Sequence, residues 1–357
     1  MNTAWKAFCI EGTPVAFKQF DQGHINRTVR LEMDTGKEYV LQMINTYVFR
    51  DPVHLMENAA AVTDYIRKKS GDPRAAIHFI PARDGKFYHI DEDGAFWRMY
   101  DFVGGYCMDR VECPEDFYQS ALAFGRFQNL LADFPADTLY ETIPEFHNTP
   151  DRYRQLREAA AQDAKGRLAG VGEELKFLLD REEEMGTLQR MRERGELPLR
   201  VTHNDTKLNN VLLDRVTKKP LCVLDLDTVM PGLSAYDFGD SIRYGAATAA
   251  EDEPDPGKMK LDLTLFEAYT RGFLEACPSL TPEEIRVLPL GAKVMTVECA
   301  VRFLADYLNG DVYFNVNYPT HNLVRARTQM ALTADMERKW EQMKEIVARV
   351  AGEVRRA

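Results

Sequence analysis

The sequence predicts an α+β chain of two lobes, a small β-rich lobe over residues 1–103 and a large helical lobe over residues 104–357. Three observations lead there. Before residue 50 apolar and polar residues alternate with the period of two that a half-buried strand requires. Past Gly104-Gly105 the composition shifts to long segments whose apolar residues recur three and four apart, the helical spacing. The length, 357 residues, holds about two units of 100–200 residues each. No linker and no internal repeat is found.

In the first lobe Val29–Met33 and Tyr39–Ile44 alternate around a turn at Asp34-Thr35-Gly36-Lys37, which predicts a hairpin. Pro52 suits a first helical turn, and Val53, Met56, Ala60, Val62 and Ile66 predict a helix over 52–68. Strands are expected again at 76–81, 88–91 and 96–103, separated by turns at Asp84-Gly85 and Asp93-Gly94. In the second lobe Phe117–Phe134 is strongly amphipathic, and 151–195 is helical and highly charged. A β-rich island at 199–227 follows. Helices are then expected at 261–276, 282–308 and 322–351. Thr281-Pro282-Glu283-Glu284 supplies a capping hydroxyl, a proline in the first turn and acids facing the helix dipole.

Composition excludes several function classes. With 45 basic and 56 acidic residues the net charge is −11, and no long basic run offers a nucleic-acid face. The six cysteines are scattered without a CxxC pair, which argues against zinc and for a reducing compartment. No apolar run reaches membrane-spanning length, and the first residues lack a charged segment followed by an apolar one. The expectation is a cytoplasmic chain without nucleic-acid or membrane partners; oligomeric state stays open.

Chemistry concentrates in the island, LRVTHNDTKLNNVLLDRVTKKPLCVLDLDTVMPGLSAYDFGD at 199–240. Asp205 follows His203-Asn204, and Asn210 stands five residues after Asp205. Val211–Leu213 and Leu221–Leu224 are apolar arms of a hairpin, so Asn210 and Asp225 are expected beside each other at its open end, on the order of 5 Å apart. An amide oxygen and a carboxylate suit a hard cation such as magnesium, which shares its ligands with phosphates. Asp205 lies where it can accept a hydroxyl proton. This is the HxDxxxxN…D logic of phosphoryl transfer, with the spacing that protein kinases use. His203 reads as a ring that holds the loop. Asp237 reads as a tie to that loop through backbone hydrogen bonds.

These residues resemble the aminoglycoside phosphotransferase and choline kinase superfamily, which shares the protein-kinase-like fold. Within it the resemblance is closer to the kinases that phosphorylate N-acetylhexosamines at the anomeric carbon. It is carried by GHINRT at 23–28, AFGRFQNLL at 123–131, LRVTHNDTKLNNVLLD at 199–214, LDLDTVMPG at 224–232, YDFGDSIRYGA at 236–246, RFLADYLNGDVYF at 302–314 and YPTHNLVRARTQ at 318–329. The resemblance implies ATP as co-substrate, Mg2+ as cofactor, and N-acetylglucosamine or N-acetylgalactosamine as acceptor. It makes Asp205 the catalytic base and Asn210 and Asp225 the metal ligands. Other acceptors of the superfamily, homoserine, choline or an aminoglycoside, form the alternative, as does a catalytically silent nucleotide-binding protein.

The first lobe is then expected to bind nucleotide. Backbone N–H groups around Gly23, His24 and Asn26 would cradle phosphates, although one glycine alone also fits an ordinary hairpin turn. Gln42 occupies the strand slot where protein kinases carry a lysine, which leaves Glu57 without a cationic partner. Phe102 and Val103 would offer backbone groups and an apolar wall to adenine, as the hinge does in the family. On the acceptor side Glu298, Arg302 and Asp306 recur at i, i+4 and i+8, either as an exposed ion-pair ladder or as a polar wall. The resemblance makes Arg302 and Tyr313 sugar contacts. Asp227 and Thr228 are expected in the same cleft, Asp227 binding a sugar hydroxyl or a second metal. The acidic loop 251–255 reads as solvated surface.

Overall fold

A computed structural model describes residues 3–20 and 26–356. In chain order the elements are β1 (Pro14–Gln19), β2 (Arg27–Met33), β3 (Glu38–Ile44), α1 (Pro52–Ser70), β4 (His89–Ile90), β5 (Phe96–Asp101) and α2 (Pro114–Leu130). Next come α3 (Thr149–Gln162), α4 (Gly172–Leu179), α5 (Glu182–Met185), α6 (Thr187–Glu193), β6 (Arg200–Thr202), β7 (Val211–Leu213), β8 (Pro220–Val223) and β9 (Met230–Gly232). The chain ends with α7 (Ser234–Gly245), α8 (Leu263–Ala276), α9 (Pro282–Arg286), α10 (Leu288–Asn309), α11 (His321–Arg338) and α12 (Trp340–Val354). Among the described residues no helix is long and apolar enough to cross a membrane.

Two compact units form. The first contains Met1–Cys107, Leu130–Pro144 and Asn210–Pro231; the second contains Met108–Asn129, Glu145–Asn209 and Gly232–Ala357. The first is an antiparallel sheet in the order β1-β2-β3-β5-β4 with one long helix. Leu31, Met33, Tyr39, Leu41, Trp97 and Met99 form its core with Phe8 and Ile80. Helix α1 starts where the Asp51 carboxylate accepts the His54 N–H, and ends at Gly71 in the left-handed conformation, φ 68°. Of the segment expected as a strand at 76–81 only an isolated bridge, Phe79 to Tyr100, is formed.

Two later stretches of chain join this unit for specific reasons. The buried Asn58 of α1 donates to the carbonyls of Tyr140 and Val229 at 2.8 and 3.0 Å and accepts from the Tyr140 N–H. Tyr106 exchanges backbone hydrogen bonds with Leu213, which lays residues 105–106 against β7. That approach requires Gly105, because a Cβ there would lie 2.7 Å from the Leu213 carbonyl oxygen.

The second unit is helical. Its central helix α10 packs on α7, α11 and α3, around a core that includes Tyr153, Leu156, Tyr236, Val294, Val301 and Leu304. The expected helix at 282–308 is two helices, α9 and α10. Pro289 lacks the N–H for a fourth-back bond and its ring opposes the preceding turn, so the helix restarts there. The expected capping box is present at Thr281 and Glu284. Glu284 also receives a two-pronged hydrogen bond from Arg200 on β6, at 2.8 and 2.7 Å. Helix α7 was not expected; Gly239 and Gly245 obscured it. The final segment breaks at Lys339, and 151–195 breaks into four short helices.

Gly239 of α7 and Gly291 of α10 face each other. A Cβ on Gly239 would lie 2.3 Å from the Gly291 carbonyl oxygen. Gly239→Ala is therefore expected to destabilise the protein by about 1–3 kcal/mol, since two packed helices must move apart. Gly352→Ala in α12, where the nearest atom is 3.9 Å away, is expected to stabilise by up to about 1 kcal/mol through helix propensity. Thermal melts of the two variants should shift in opposite directions.

Candidate active site

The loop that carries Asp205 is held by α7. Asp237 accepts the His203 N–H and the Asn204 N–H at 2.9 and 2.8 Å, one on each oxygen, and the Gln128 side-chain amide at 2.7 Å. This is the tie expected of Asp237. One helical turn on, Asp240 accepts the Thr206 N–H at 3.1 Å, and Ser241 donates to the Thr206 carbonyl. Burial alone would raise the Asp240 pKa, but the Arg243 guanidinium and the Lys207 ammonium outweigh it and hold the carboxyl below its usual range. Asn204 takes a left-handed backbone, φ 63°, a conformation that Asn tolerates better than most residues. The buried His203 ring packs edge-on against Phe124 and Phe127. A tightly anchored backbone thus presents a half-buried Asp205.

Lys207 was missed. Its Nζ lies 2.8 Å from Asp205 Oδ1. Burial would lower its pKa, but Asp205 outweighs burial and holds the ammonium above its ordinary value. The signal was available as a cation two residues past the candidate base.

In the first unit the β7–β8 hairpin brings Asn210 and Asp225 to its open end, with a register that differs from the expected one. Val211 faces Val223, and the Leu224 N–H donates to the Asn210 carbonyl at 2.7 Å, so Asn210 stands opposite Leu224 rather than Asp225. The turn decides this. Asp214 accepts the N–H groups of Val216 and Thr217 and pairs with Lys219, and the register then slips once, between Leu212 and Leu213. Asn210 is buried, and the exposed Asp225 has a left-handed backbone, φ 57°. Amide and carboxylate oxygens are the donors a magnesium ion takes, so the pair fits such an ion. Among the described residues no cluster of three or more His, Cys, Asp or Glu forms a metal cage.

Asp227 departs from its expected place beside an acceptor or a second metal. It is 2% exposed, and both its oxygens are engaged within the first unit. Oδ1 pairs with Nη1 of Arg98 at 2.5 Å, and Oδ2 accepts from Asn26 at 2.6 Å. Asn26 in turn accepts the Asn45 N–H. Gln42, expected in the strand slot of the kinase lysine on the nucleotide side, accepts from Arg98 Nε at 2.7 Å and donates to Thr28 at 2.9 Å. Asn26 and Gln42 thus face Asp227 and Arg98. Arg98 was missed because its position in β5 reads as one more core residue. Glu57 is exposed and forms no ion pair among the described residues. Gly23 and His24 lie outside the described residues. The Phe102 N–H is bonded to the Glu38 carbonyl, whereas no described residue hydrogen-bonds the Val103 backbone. Thr228 ends a short 3-10 turn and is half-buried.

The charge ladder on α10 does not form. Buried Glu298 binds His147 at 2.8 Å and the Thr149 hydroxyl at 2.6 Å. Burial pushes the Glu298 pKa up, but His147 outweighs it and holds the carboxyl below its usual range. Buried Asp306 accepts the N–H groups of Val312, Tyr313 and Phe314 and the Asn322 amide. Each acid shapes a loop, and Arg302 between them is left to three aromatic rings. Its guanidinium lies 5.4 Å from the Phe146 ring and 5.5 Å from those of Tyr313 and Phe314. Its Nη2 is 3.3 Å from the Tyr313 hydroxyl. Arg152 fixes Phe146 by donating to its carbonyl at 2.9 Å. Tyr313 is 65% exposed. The acidic loop is also more than solvated surface, because Glu251 binds the buried Arg243 at 2.6 Å and Asp252 reaches His321 at 3.2 Å.

Comparison with known proteins gives the family and the fold. Residues 16–276 match the phosphotransferase enzyme family, APH. Among solved structures, a microcompartment-associated aminopropanol kinase is 18% identical over 96% of this chain and 97% of its own, with a TM-score of 0.64. An aminoglycoside phosphotransferase from Alicyclobacillus acidocaldarius is 16% identical over 99% and 96%, with a TM-score of 0.60. An amicoumacin kinase in complex with AMP-PNP, Ca2+ and Ami is 14% identical over 91% of each chain, with a TM-score of 0.58. At such identities the likeness shows the fold, which is protein-kinase-like. The family match covers most of the sequence, and the chain belongs to the APH phosphotransferase enzyme family.

Proposed function

We propose that this kinase transfers the γ-phosphoryl group of ATP to the anomeric C1 hydroxyl of N-acetylglucosamine or N-acetylgalactosamine, giving the sugar 1-phosphate. The observation that carries the choice of acceptor is the setting of Arg302. A guanidinium already occupies the aromatic faces of Phe146, Tyr313 and Phe314. A cationic acceptor such as choline or an aminoglycoside would meet like charge there. A neutral sugar instead gains a fixed fork of donors for its hydroxyls and acetamide oxygen, beside rings that suit a pyranose face. The resemblance of residues 302–314 to N-acetylhexosamine kinases supports the same reading. The AMP-PNP bound to the amicoumacin kinase supports ATP as the donor.

In this mechanism Asp205 accepts the C1 hydroxyl proton as the oxygen attacks the γ-phosphorus. The new O–P bond forms as the bond to the ADP oxygen breaks. Lys207 orients the Asp205 carboxylate and keeps a positive charge beside the reacting groups. Asn210 and Asp225 would hold magnesium, which when bound neutralises phosphate charge. Val103 offers its backbone groups to the adenine. Rate comes mainly from positioning and charge neutralisation.

The test is a panel of free sugars, choline, ethanolamine and homoserine incubated with Mg-ATP, with ADP release and product NMR as readouts. The expected product is an N-acetylhexosamine 1-phosphate; turnover of an amino alcohol in place of any sugar overturns the reading. Asp205→Asn should keep its fold and nucleotide affinity but lose about 10²–10⁴-fold in kcat. Arg302→Ala should raise the sugar KM roughly tenfold to a hundredfold, the cost of a lost charged donor, and leave the ATP KM nearly unchanged. Unaltered sugar kinetics in that variant would remove Arg302 from the acceptor site.

A further inference from the structure

Where a protein kinase carries a lysine on its third strand, β3 carries Gln42, a neutral amide. The cation stands one strand over. Pairing sets Thr28 of β2 opposite Gln42 of β3, and Gln42 opposite Arg98 of β5. The three side chains form one hydrogen-bonded row, Arg98 Nε to Gln42 Oε1 and Gln42 Nε2 to Thr28 Oγ1. The row ends on Asp227, two residues past Asp225, through a guanidinium and a carboxylate that are both almost fully buried. Asn26 closes Asp227 from its other oxygen and is itself fixed by the Asn45 N–H. Asp225 has a left-handed backbone, a conformation the turn must be held in.

We propose that Arg98 is a positioning residue that clamps the Asp225–Asp227 turn to the sheet and so supports magnesium binding. This rests on the reading of Asp225 as a metal ligand. Partners that orient a ligand rather than touch the metal typically change metal affinity by about 10–100-fold when removed.

Arg98→Gln alone would strand a buried carboxylate, so the test uses the double variant Arg98→Gln/Asp227→Asn, which removes both charges. AMP-PNP binding is measured calorimetrically with and without magnesium, alongside the melting temperature. The double variant is expected to bind metal-free AMP-PNP as the wild type does and to need about 10–100-fold more magnesium for the tight complex. Wild-type magnesium dependence, or equal weakening with and without the metal, overturns the proposal. Should the double variant not fold, Arg98→Lys decides: the charge stays, the planar fork is lost, and several-fold weakening confined to the magnesium form is expected. No weakening there overturns the proposal. Asp225→Ala separates the two assignments. Loss of magnesium dependence in Asp225→Ala together with a normal Arg98 variant overturns only the clamp, whereas unchanged magnesium dependence in Asp225→Ala overturns the metal assignment and the clamp with it.

Discussion

The grip of Asp237 on the backbone of His203 and Asn204 is the contact on which the loop that carries Asp205 depends. One carboxylate takes two successive main-chain N–H groups of the loop and the Gln128 amide of α2, so three buried donors are satisfied by a single side chain. Without it the left-handed Asn204 backbone would lose the carboxylate that accepts its N–H, and the loop leading to Asp205 would lose its anchor. The helix supplying Asp237 is itself pinned against α10 by the close approach of Gly239 and Gly291. The chain of cause runs from a glycine contact, through a helix position, to the Asp205 carboxylate.

Buried acids are used in the same way throughout the second unit. Glu298 fixes the segment that carries Phe146, through His147 and Thr149. Asp306 gathers three consecutive N–H groups and shapes the loop that carries Tyr313. Glu284 joins a helix cap to β6. A carboxylate is economical for this work, because it accepts several hydrogen bonds at once and each is charge-assisted. Part of the acidic composition is therefore internal scaffolding. Arg302 is left to aromatic rings and the Tyr313 hydroxyl because its two acidic neighbours along the helix hold loops.

The first unit solves a charge problem differently. Its sheet carries a cation into the interior, and the cost of burying Arg98 is offset by Asp227 and by the Gln42 amide. Burial alone would lower the Arg98 pKa, but Asp227 outweighs it and holds the guanidinium above its ordinary value. Arginine suits the place better than lysine, since its fork reaches Gln42 and Asp227 together.

The sequence by itself determined the α+β class, the strand–turn–strand of β2 and β3, helix α1, the capped start of α9, and the HxDxxxxN…D pattern that points to phosphoryl transfer. These depend on local periodicity, turn chemistry and spacing, which a single chain displays directly. Tertiary structure decided the rest. The register of β7 and β8 turned on one slip between Leu212 and Leu213 and on the hydrogen bonds of Asp214. Whether Glu298 and Asp306 would pair with Arg302 or hold loops depended on which segments folded beside α10. The partnership of Arg98 with Asp227 spans 129 residues of sequence and exists only because β5 pairs with β3 at Gln42. Such contacts leave no periodic trace, because each is set by where a distant backbone runs rather than by its neighbours in the chain.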